Sequence, residues 1–174
     1  LFALRHRDTC GATSFALLMA GECIWTIGYM FELLAPSYGG KIFWDNLQFI
    51  GTDLVAVGIL LFSLRYTQRF TWAKRVARFL WIEPVLTNLL VWTDPLHHLV
   101  RVNPHMHTST GFPILDYGYG LWMWGIVLYW YLLIFSGVLL LIIALFRSHR
   151  HFKFQTLIAI VGITTPVTGT MFTA

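Results

Sequence analysis

The stretch from residue 120 to residue 146 contains no Asp, Glu, Lys or Arg, and almost every side chain in it is apolar. A helix needs about 20 mostly apolar residues to cross the hydrocarbon core of a bilayer, so this stretch is long enough to span one. A helix that is apolar all round is buried either in the core of a large protein or in lipid. A chain of 174 residues with such a stretch is therefore expected to fold in a membrane.

Composition extends this expectation to the whole chain. Hydrophobic residues make up 57% of it and charged residues only 11%, whereas soluble globular domains carry roughly 25% charged residues. So few charges cannot cover a water-facing surface, and an aromatic content of 17% is too high for a disordered chain. These values exclude a soluble enzyme domain, a nucleic-acid-binding module and a flexible linker.

The apolar pattern predicts an all-α, polytopic transmembrane bundle that forms a single domain over residues 1–174. Five stretches approach the length of a full membrane span. The residues before the first of them resemble the last turn of a further helix, so we expect the chain to be part of a larger bundle. The predicted spans cover residues 11–34, 42–64, 77–93, 120–146 and 155–174.

The basic residues predict how these spans are oriented. All Lys and Arg except Lys41 and Arg101 lie before the first span, between spans two and three or at the start of span three, or between spans four and five. Connections rich in Lys and Arg remain in the cytoplasm. The segment 94–119 is therefore expected on the outer side of the membrane.

Four of the acidic residues in the predicted spans are candidates for a functional role. Glu22, Asp53 and Glu83 lie inside them, and Glu32 lies near the outer end of the first. Ionisable groups inside a bilayer are costly and are usually functional or paired. Because the first two spans form an antiparallel hairpin, Glu22 and Asp53 are expected at similar depth. Either these two share a proton or a cation, or each is a neutral acid hydrogen-bonded to its own neighbours.

One face of the first span carries Gly21, Trp25, Gly28 and Glu32, which recur at helical spacing. Two glycines on one face allow another helix to approach closely. The face is therefore either a packing seam or a surface that contacts a ligand, and both interpretations stay open at this point.

Four histidines, His97, His98, His105 and His107, lie in the predicted outer segment, and none of the seven lies within a predicted span. This excludes a haem held by paired histidines inside the bilayer, and no cofactor is predicted. His105 and His107 alternate, so an extended strand would place both rings on one face, as metal ligation requires. Metal binding, pH sensing and an ordinary polar role are the three alternatives.

Several short motifs follow one another in a fixed order, namely Trp25-x-x-Gly28-Tyr29-x-x-Glu32-Leu33-Leu34-Ala35-Pro36, Trp44, Gly51, Phe62-Ser63-Leu64-Arg65-Tyr66-Thr67, Pro84 and Asp94-Pro95-Leu96-His97-His98-Leu99. Their order and spacing resemble the N-terminal seven-helix membrane region of bacterial and archaeal sensor histidine kinases. The resemblance covers nearly the whole chain, and the Glu-Leu-Leu-Ala-Pro and His-His-Leu segments are its most specific parts.

The resemblance implies a signal-sensing and transmission domain in the plasma membrane of a prokaryote. It makes the five spans helices two to six, with a seventh helix and a cytoplasmic output domain after residue 174. It also implies a parent protein-histidine kinase that works as a homodimer and acts on a cytoplasmic response regulator, although related regions also feed diguanylate cyclases. The chain itself carries no catalytic constellation such as a Gly-rich nucleotide loop.

The alternative function is a transporter or a non-catalytic subunit of a membrane complex, since intramembrane acids suit proton-coupled transport. For a sensor, we expect the signal to be read in the outer third of the bundle, near Trp25, Glu32, His97 and His98. These side chains can exchange protons, bind metal, or contact a ligand.

Overall fold

The computed structural model describes residues 11–107, 113–147 and 161. Helices dominate, and a short antiparallel hairpin interrupts them before the last long helix. In chain order the elements are α1 (Ala12–Leu34), α2 (Tyr38–Tyr66), α3 (Phe70–Leu80), α4 (Ile82–Thr93), a 3-10 turn (Asp94–Leu96), β1 (Arg101–His107), β2 (Ile114–Tyr119) and α5 (Leu121–Arg147).

Within the described residues, the three helices long and apolar enough to cross a membrane are α1, α2 and α5. The prediction of five full spans is therefore wrong in part. The predicted third span, 77–93, is divided between α3 and α4, which have 11 and 12 residues and are each shorter than a membrane span. The predicted fifth span, 155–174, lies outside the described residues apart from residue 161.

The break between α3 and α4 has a cause in the sequence. Pro84 has no backbone N–H, so it cannot donate to the carbonyl of Leu80 four residues earlier, as a continuous helix would require. That carbonyl instead accepts a hydrogen bond from the Tyr129 hydroxyl of α5, at 2.7 Å. A proline is tolerated in the first turn of a helix, so α4 begins anew at Ile82.

Helix α2 lies at the centre of the bundle. In its most apolar window, 72% of the residues are buried, compared with 17% in α1 and 22% in α5. Ser37 caps its N-terminus by accepting a hydrogen bond from the backbone N–H of Gly40 at 3.2 Å. Its apolar side chains join two clusters, one shared with α3 and α5 and one shared with α4, α5 and the hairpin end.

The seam between α1 and α2 is built on glycine. A Cβ atom on Gly51 would lie 2.6 Å from the backbone nitrogen of Trp25, and one on Gly21 would lie 2.8 Å from the carbonyl oxygen of Gly51. A Cβ atom on Gly28 would lie 2.8 Å from the Cγ atom of Gln48. The packing interpretation is therefore confirmed at the glycines of this α1 face, and ligand contact at Trp25 and Glu32 stays a prediction.

The outer segment contains a structured β-hairpin, so the all-α prediction is incomplete. Strands β1 and β2 pair antiparallel, with His105 opposite Asp116 and an irregularity in the register between Val102 and His105. Pro104 lies in that irregularity and cannot donate to the ladder. Gly120 joins the hairpin to α5, where a Cβ atom would clash with the backbone of Leu99.

Candidate functional site

The most heavily connected buried side chain at the hairpin end of the bundle is Arg101, at the start of β1. It is 1% exposed. Its Nε atom donates to Asp45 Oδ2 at 2.8 Å, and its Nη2 atom donates to Asn46 Oδ1 at 2.7 Å. Its Nη1 atom lies 3.8 Å from Asp94 Oδ2, in the turn after α4. One guanidinium group therefore joins the hairpin to α2 and to the end of α4.

Aromatic rings complete the surroundings of this guanidinium group. Its carbon atom lies 5.3 Å from the centre of the Phe49 ring and 5.4 Å from that of Tyr117, within the range of cation–π attraction. The Tyr117 hydroxyl donates to Asp45 Oδ1 at 3.3 Å. Burial and the negative charge of Asp45 raise the pKa of Tyr117, so its hydroxyl stays protonated at neutral pH and remains a donor.

Asp94 holds the other side of the site. Its side chain accepts hydrogen bonds from the backbone N–H groups of Val100, at 2.9 Å, and of Arg101, at 3.1 Å. The chain between the 3-10 turn and β1 is thus folded back onto the carboxylate of Asp94, a residue that is only 3% exposed. This contact fixes the position from which Arg101 reaches α2.

A second buried cation lies in the same part of α2. Lys41 is fully buried, and its Nζ atom donates to the backbone carbonyl oxygen of Glu32 at 2.8 Å. The Glu32 carboxylate accepts from Gln48 Nε2 at 2.6 Å. We call the set of Glu32, Lys41, Asp45, Asn46, Gln48, Asp94, Arg101 and Tyr117 the outer polar network.

The energetics of such a network are unusual. Buried charges are costly to remove from water, and a buried ion pair is often no more stabilising than apolar side chains of the same size. Removing one partner, however, costs about 3–5 kcal/mol, because the other charge is then left buried and uncompensated. A contribution to stability alone therefore does not explain the outer polar network. A change at one of its charged members is expected to have a large free-energy cost.

The predicted sensing residues have different positions relative to this network. Glu32 belongs to it. His97 borders it, because its Nδ1 atom lies 3.7 Å from Asp94 Oδ1 and accepts from the N–H of Leu99 at 3.1 Å. His98 is exposed and has a positive φ of 52°. Trp25 is half-buried on the glycine seam rather than in the network.

The two strand histidines are at the surface. His105 Nε2 lies 3.8 Å from Asp116 Oδ2 across the hairpin, with both side chains more than half exposed, and His107 is exposed opposite Ile114. Within the described residues, no group of three His, Cys, Asp or Glu side chains is placed to hold a metal ion. Metal binding by His105 and His107 therefore stays a prediction.

The hydrogen-bond partners of Asp53 are on α4 and α5. Gly21 packs beside Gly51 and Leu54, so Glu22 and Asp53 do lie at similar depth. Asp53, however, accepts from Asn88 Nδ2 of α4 at 2.9 Å and from Trp130 Nε1 of α5 at 2.7 Å. Its carboxylate is thus hydrogen-bonded to neighbours of its own, the second of the two interpretations.

Glu83 takes part in a shorter chain of hydrogen bonds near Asp53. Thr87, one turn later on α4, donates to Glu83 Oε1 at 2.6 Å. The Thr87 hydroxyl oxygen in turn accepts from Trp122 Nε1 of α5 at 3.1 Å. Asp53 therefore ties α2 to α4 and α5, and Thr87, the partner of Glu83, ties α4 to α5.

Sequence reasoning missed most of the outer polar network. The members that were not selected are Lys41, Asp45, Asn46, Gln48, Arg101 and Tyr117. One signal could have identified two of them, because Lys41 and Arg101 are the exceptions to the clustering of basic residues on the predicted cytoplasmic side. A cation on the sparsely charged side of a membrane protein needs a reason, and here both are buried and paired.

The fold and this network define a class, namely a polytopic helical membrane domain with a polar centre at one end. A family model described as the N-terminal 7TM region of histidine kinase matches residues 1–174. The chain therefore belongs to this family of histidine kinase membrane regions. A search of curated proteins found no significant match, and a search of solved structures found none either.

Proposed function

We propose that this domain senses a signal at its hairpin end and transmits it through the membrane to a cytoplasmic kinase. Membership of the histidine kinase family supports this function over transport or a purely structural role in a complex. The same membership supports a parent protein that lies in a prokaryotic plasma membrane, acts as a homodimer, and passes phosphate to a cytoplasmic response regulator.

One observation carries the proposal. Arg101 belongs to the hairpin, and its partners are on α2 and at the end of α4. A displacement of the hairpin must therefore either move the ends of these two helices or break a buried ion pair. Helix α2 is 29 residues long in all, about 43 Å at 1.5 Å per residue, which is enough to span a bilayer.

The free energy of breaking a buried ion pair in the outer polar network is large enough to shift the domain between two conformational states. A signal can shift a two-state equilibrium only by the difference in its interaction with the two states. Moving a population from mostly one state to mostly the other requires about 5.5 kcal/mol. Separating one buried charged partner costs about 3–5 kcal/mol, so an input that competes for Asp45 or Asp94 acts on the right scale.

The proposal is tested with the full-length kinase and a transcriptional reporter in cells. Two changes at the network, Tyr117→Phe and Glu32→Gln, and one at its border, His97→Ala, should each shift the stimulus concentration at half response. The matched control is Arg69→Ala, an exposed residue at the opposite end of α2. Membrane levels measured by immunoblot should stay equal.

Tyr117→Phe is the most informative of these variants, because it removes one hydroxyl and no charge. If the three outer variants respond like the wild type and the Arg69 variant alone changes signalling, the signal is not read at the outer polar network. His98→Ala, at an exposed position, distinguishes direct ligand contact from action through the network, since it should alter the response in the first case alone.

A further inference from the structure

Helix α3 has a composition unlike that of the other helices. Between Phe70 and Leu80 it carries Lys74, Arg75 and Arg78 and no acidic residue. It follows the C-terminal end of α2, whereas the outer polar network lies near the N-terminal end of that helix. The basic helix and the network are therefore at opposite ends of the bundle.

One side of α3 is fully used for packing. Ala73 and Leu80 are buried at 3% and 6% exposure, and Val76 and Ala77 pack against the same cluster of α2 and α5 side chains. These four positions follow the i, i+3, i+4, i+7 spacing of one helix face. The packing fixes which side chains α3 turns away from the bundle.

The outward side of α3 is divided between aromatic and basic side chains. Trp72 and Phe79 are 58% and 67% exposed, and at 3.6 residues per turn they lie about 20° apart around the helix. Arg75 follows them around the circumference, and Arg78 and Lys74 lie beyond it, all three exposed in the described part of the chain. The helix thus presents an aromatic edge beside a basic edge.

We propose that this outward side of α3 is a binding surface for the headgroups of anionic phospholipids in the cytoplasmic leaflet. Aromatic rings next to cations are the pattern of helices that lie in the membrane interface, with the rings at the acyl boundary and the charges among the headgroups. Arginine also matches phosphate oxygens with two parallel hydrogen bonds. Since α3 joins the membrane-spanning α2 through a short turn, its rings and cations lie at headgroup depth.

An acidic protein surface would also attract Lys74, Arg75 and Arg78, but it gives no reason for Trp72 and Phe79 to be exposed beside them. Lipid explains both edges at once. The binding would act on α3 and therefore on the junction between α2 and α4, at the end of the bundle that faces the output domain.

The test measures lipid selectivity of the full-length protein in bilayers of phosphatidylcholine that contain a minor fraction of phosphatidylglycerol. Electron paramagnetic resonance of spin-labelled lipids gives the fraction of each lipid held at the protein surface. A basic residue near an anionic surface contributes about fivefold to binding. The triple variant Lys74→Gln/Arg75→Gln/Arg78→Gln should therefore lose at least about fivefold of the preference for phosphatidylglycerol, and high salt should remove the same preference from the wild type.

Two further variants keep the test specific. The variant Arg75→Lys/Arg78→Lys keeps the charge and should retain most of the selectivity. The variant Arg147→Gln/Arg150→Gln/Lys153→Gln removes equal charge from the other basic connection and should also retain most of it. If this last variant loses as much of the lipid selectivity as the α3 variant does, the effect is one of net charge and the α3 surface is not a binding site.

Unchanged lipid selectivity in the α3 variant also overturns the proposal, and leaves an acidic protein as the partner. Neither result depends on signalling, so the proposed function is tested separately.

Discussion

At the scale of single residues, Asp53 is the acid most tightly held in the middle of the bundle. It is 1% exposed and accepts one hydrogen bond from α4 and one from α5. Asn88, its α4 partner, also donates to the carbonyl oxygen of Pro84 at 2.8 Å. An asparagine at position 53 has a single acceptor oxygen, and reversing the Asn88 amide to compensate would break the bond to Pro84.

Asp53→Asn should therefore destabilise the domain by about 1–3 kcal/mol, the cost of leaving one buried polar group unsatisfied. Glu22→Gln is the matched control, because Glu22 is a half-buried acid on α1 and its amide should cost at most a few tenths of a kcal/mol. Unfolding by a denaturing detergent in mixed micelles measures both. Equal losses for the two variants would contradict the assignment of Asp53 as the structural acid.

The sequence predicted the buried acids and Glu32 from their depth in apolar stretches, since depth is a local property of the chain. It did not predict their partners. Arg101 meets Asp45 and Asn46 across separations of 56 and 55 residues, and such pairing depends on the tertiary fold. The stripe on α1 was predictable because both of its causes, small side chains and helical spacing, are local.

At the scale of secondary-structure elements, the close approach of α1 and α2 depends on glycine. The atoms that would meet a Cβ atom on Gly51 are backbone atoms, the Trp25 nitrogen and the Gly21 oxygen. Backbone atoms cannot rotate away, so the helices would have to separate. Gly125 on α5 is the opposite case, because nothing in the described part of the chain lies within 4 Å of a Cβ atom placed there.

Gly51→Ala should therefore destabilise the domain by about 1–3 kcal/mol, the usual cost of overpacking. Gly125→Ala should be neutral or stabilise it by up to about 1 kcal/mol, because alanine is the better helix former. Thermal unfolding in detergent, followed by circular dichroism, compares the two variants. A Gly51 variant as stable as the Gly125 variant would show that α1 and α2 do not approach as closely as described.

Two elements departed from the sequence prediction for physical reasons that lie in particular residues. Residues 77–93 were predicted as one span because the effect of Pro84 was not considered. Pro84 cannot donate the backbone hydrogen bond of a continuous helix, and a new helix begins at Ile82. The hairpin was partly foreseen, because the alternation of His105 and His107 indicated an extended strand. Its pairing with β2 depends also on the side chains of residues 114–119, which alternation within one strand does not reveal.

At the scale of the whole molecule, α2 is the element that connects the two ends of the domain. Its N-terminal half carries Lys41, Asp45, Asn46 and Gln48 of the outer polar network, and its C-terminal end leads into the basic helix α3. It also packs against α1, α4 and α5 along its length. A shift of α2 is therefore the simplest route by which a change at the hairpin reaches the other side of the membrane.

A double-mutant cycle on the output of the full-length kinase tests this account most directly. Arg101→Gln and Asp45→Asn each break the ion pair that joins the hairpin to α2, and autophosphorylation in membranes is measured for both variants and for the combination. If the pair transmits the signal, each single variant changes the response to stimulus, and the double variant changes it little further. Effects that simply add, or a wild-type response in all three proteins at equal membrane levels, would contradict the claim that the outer polar network carries the signal.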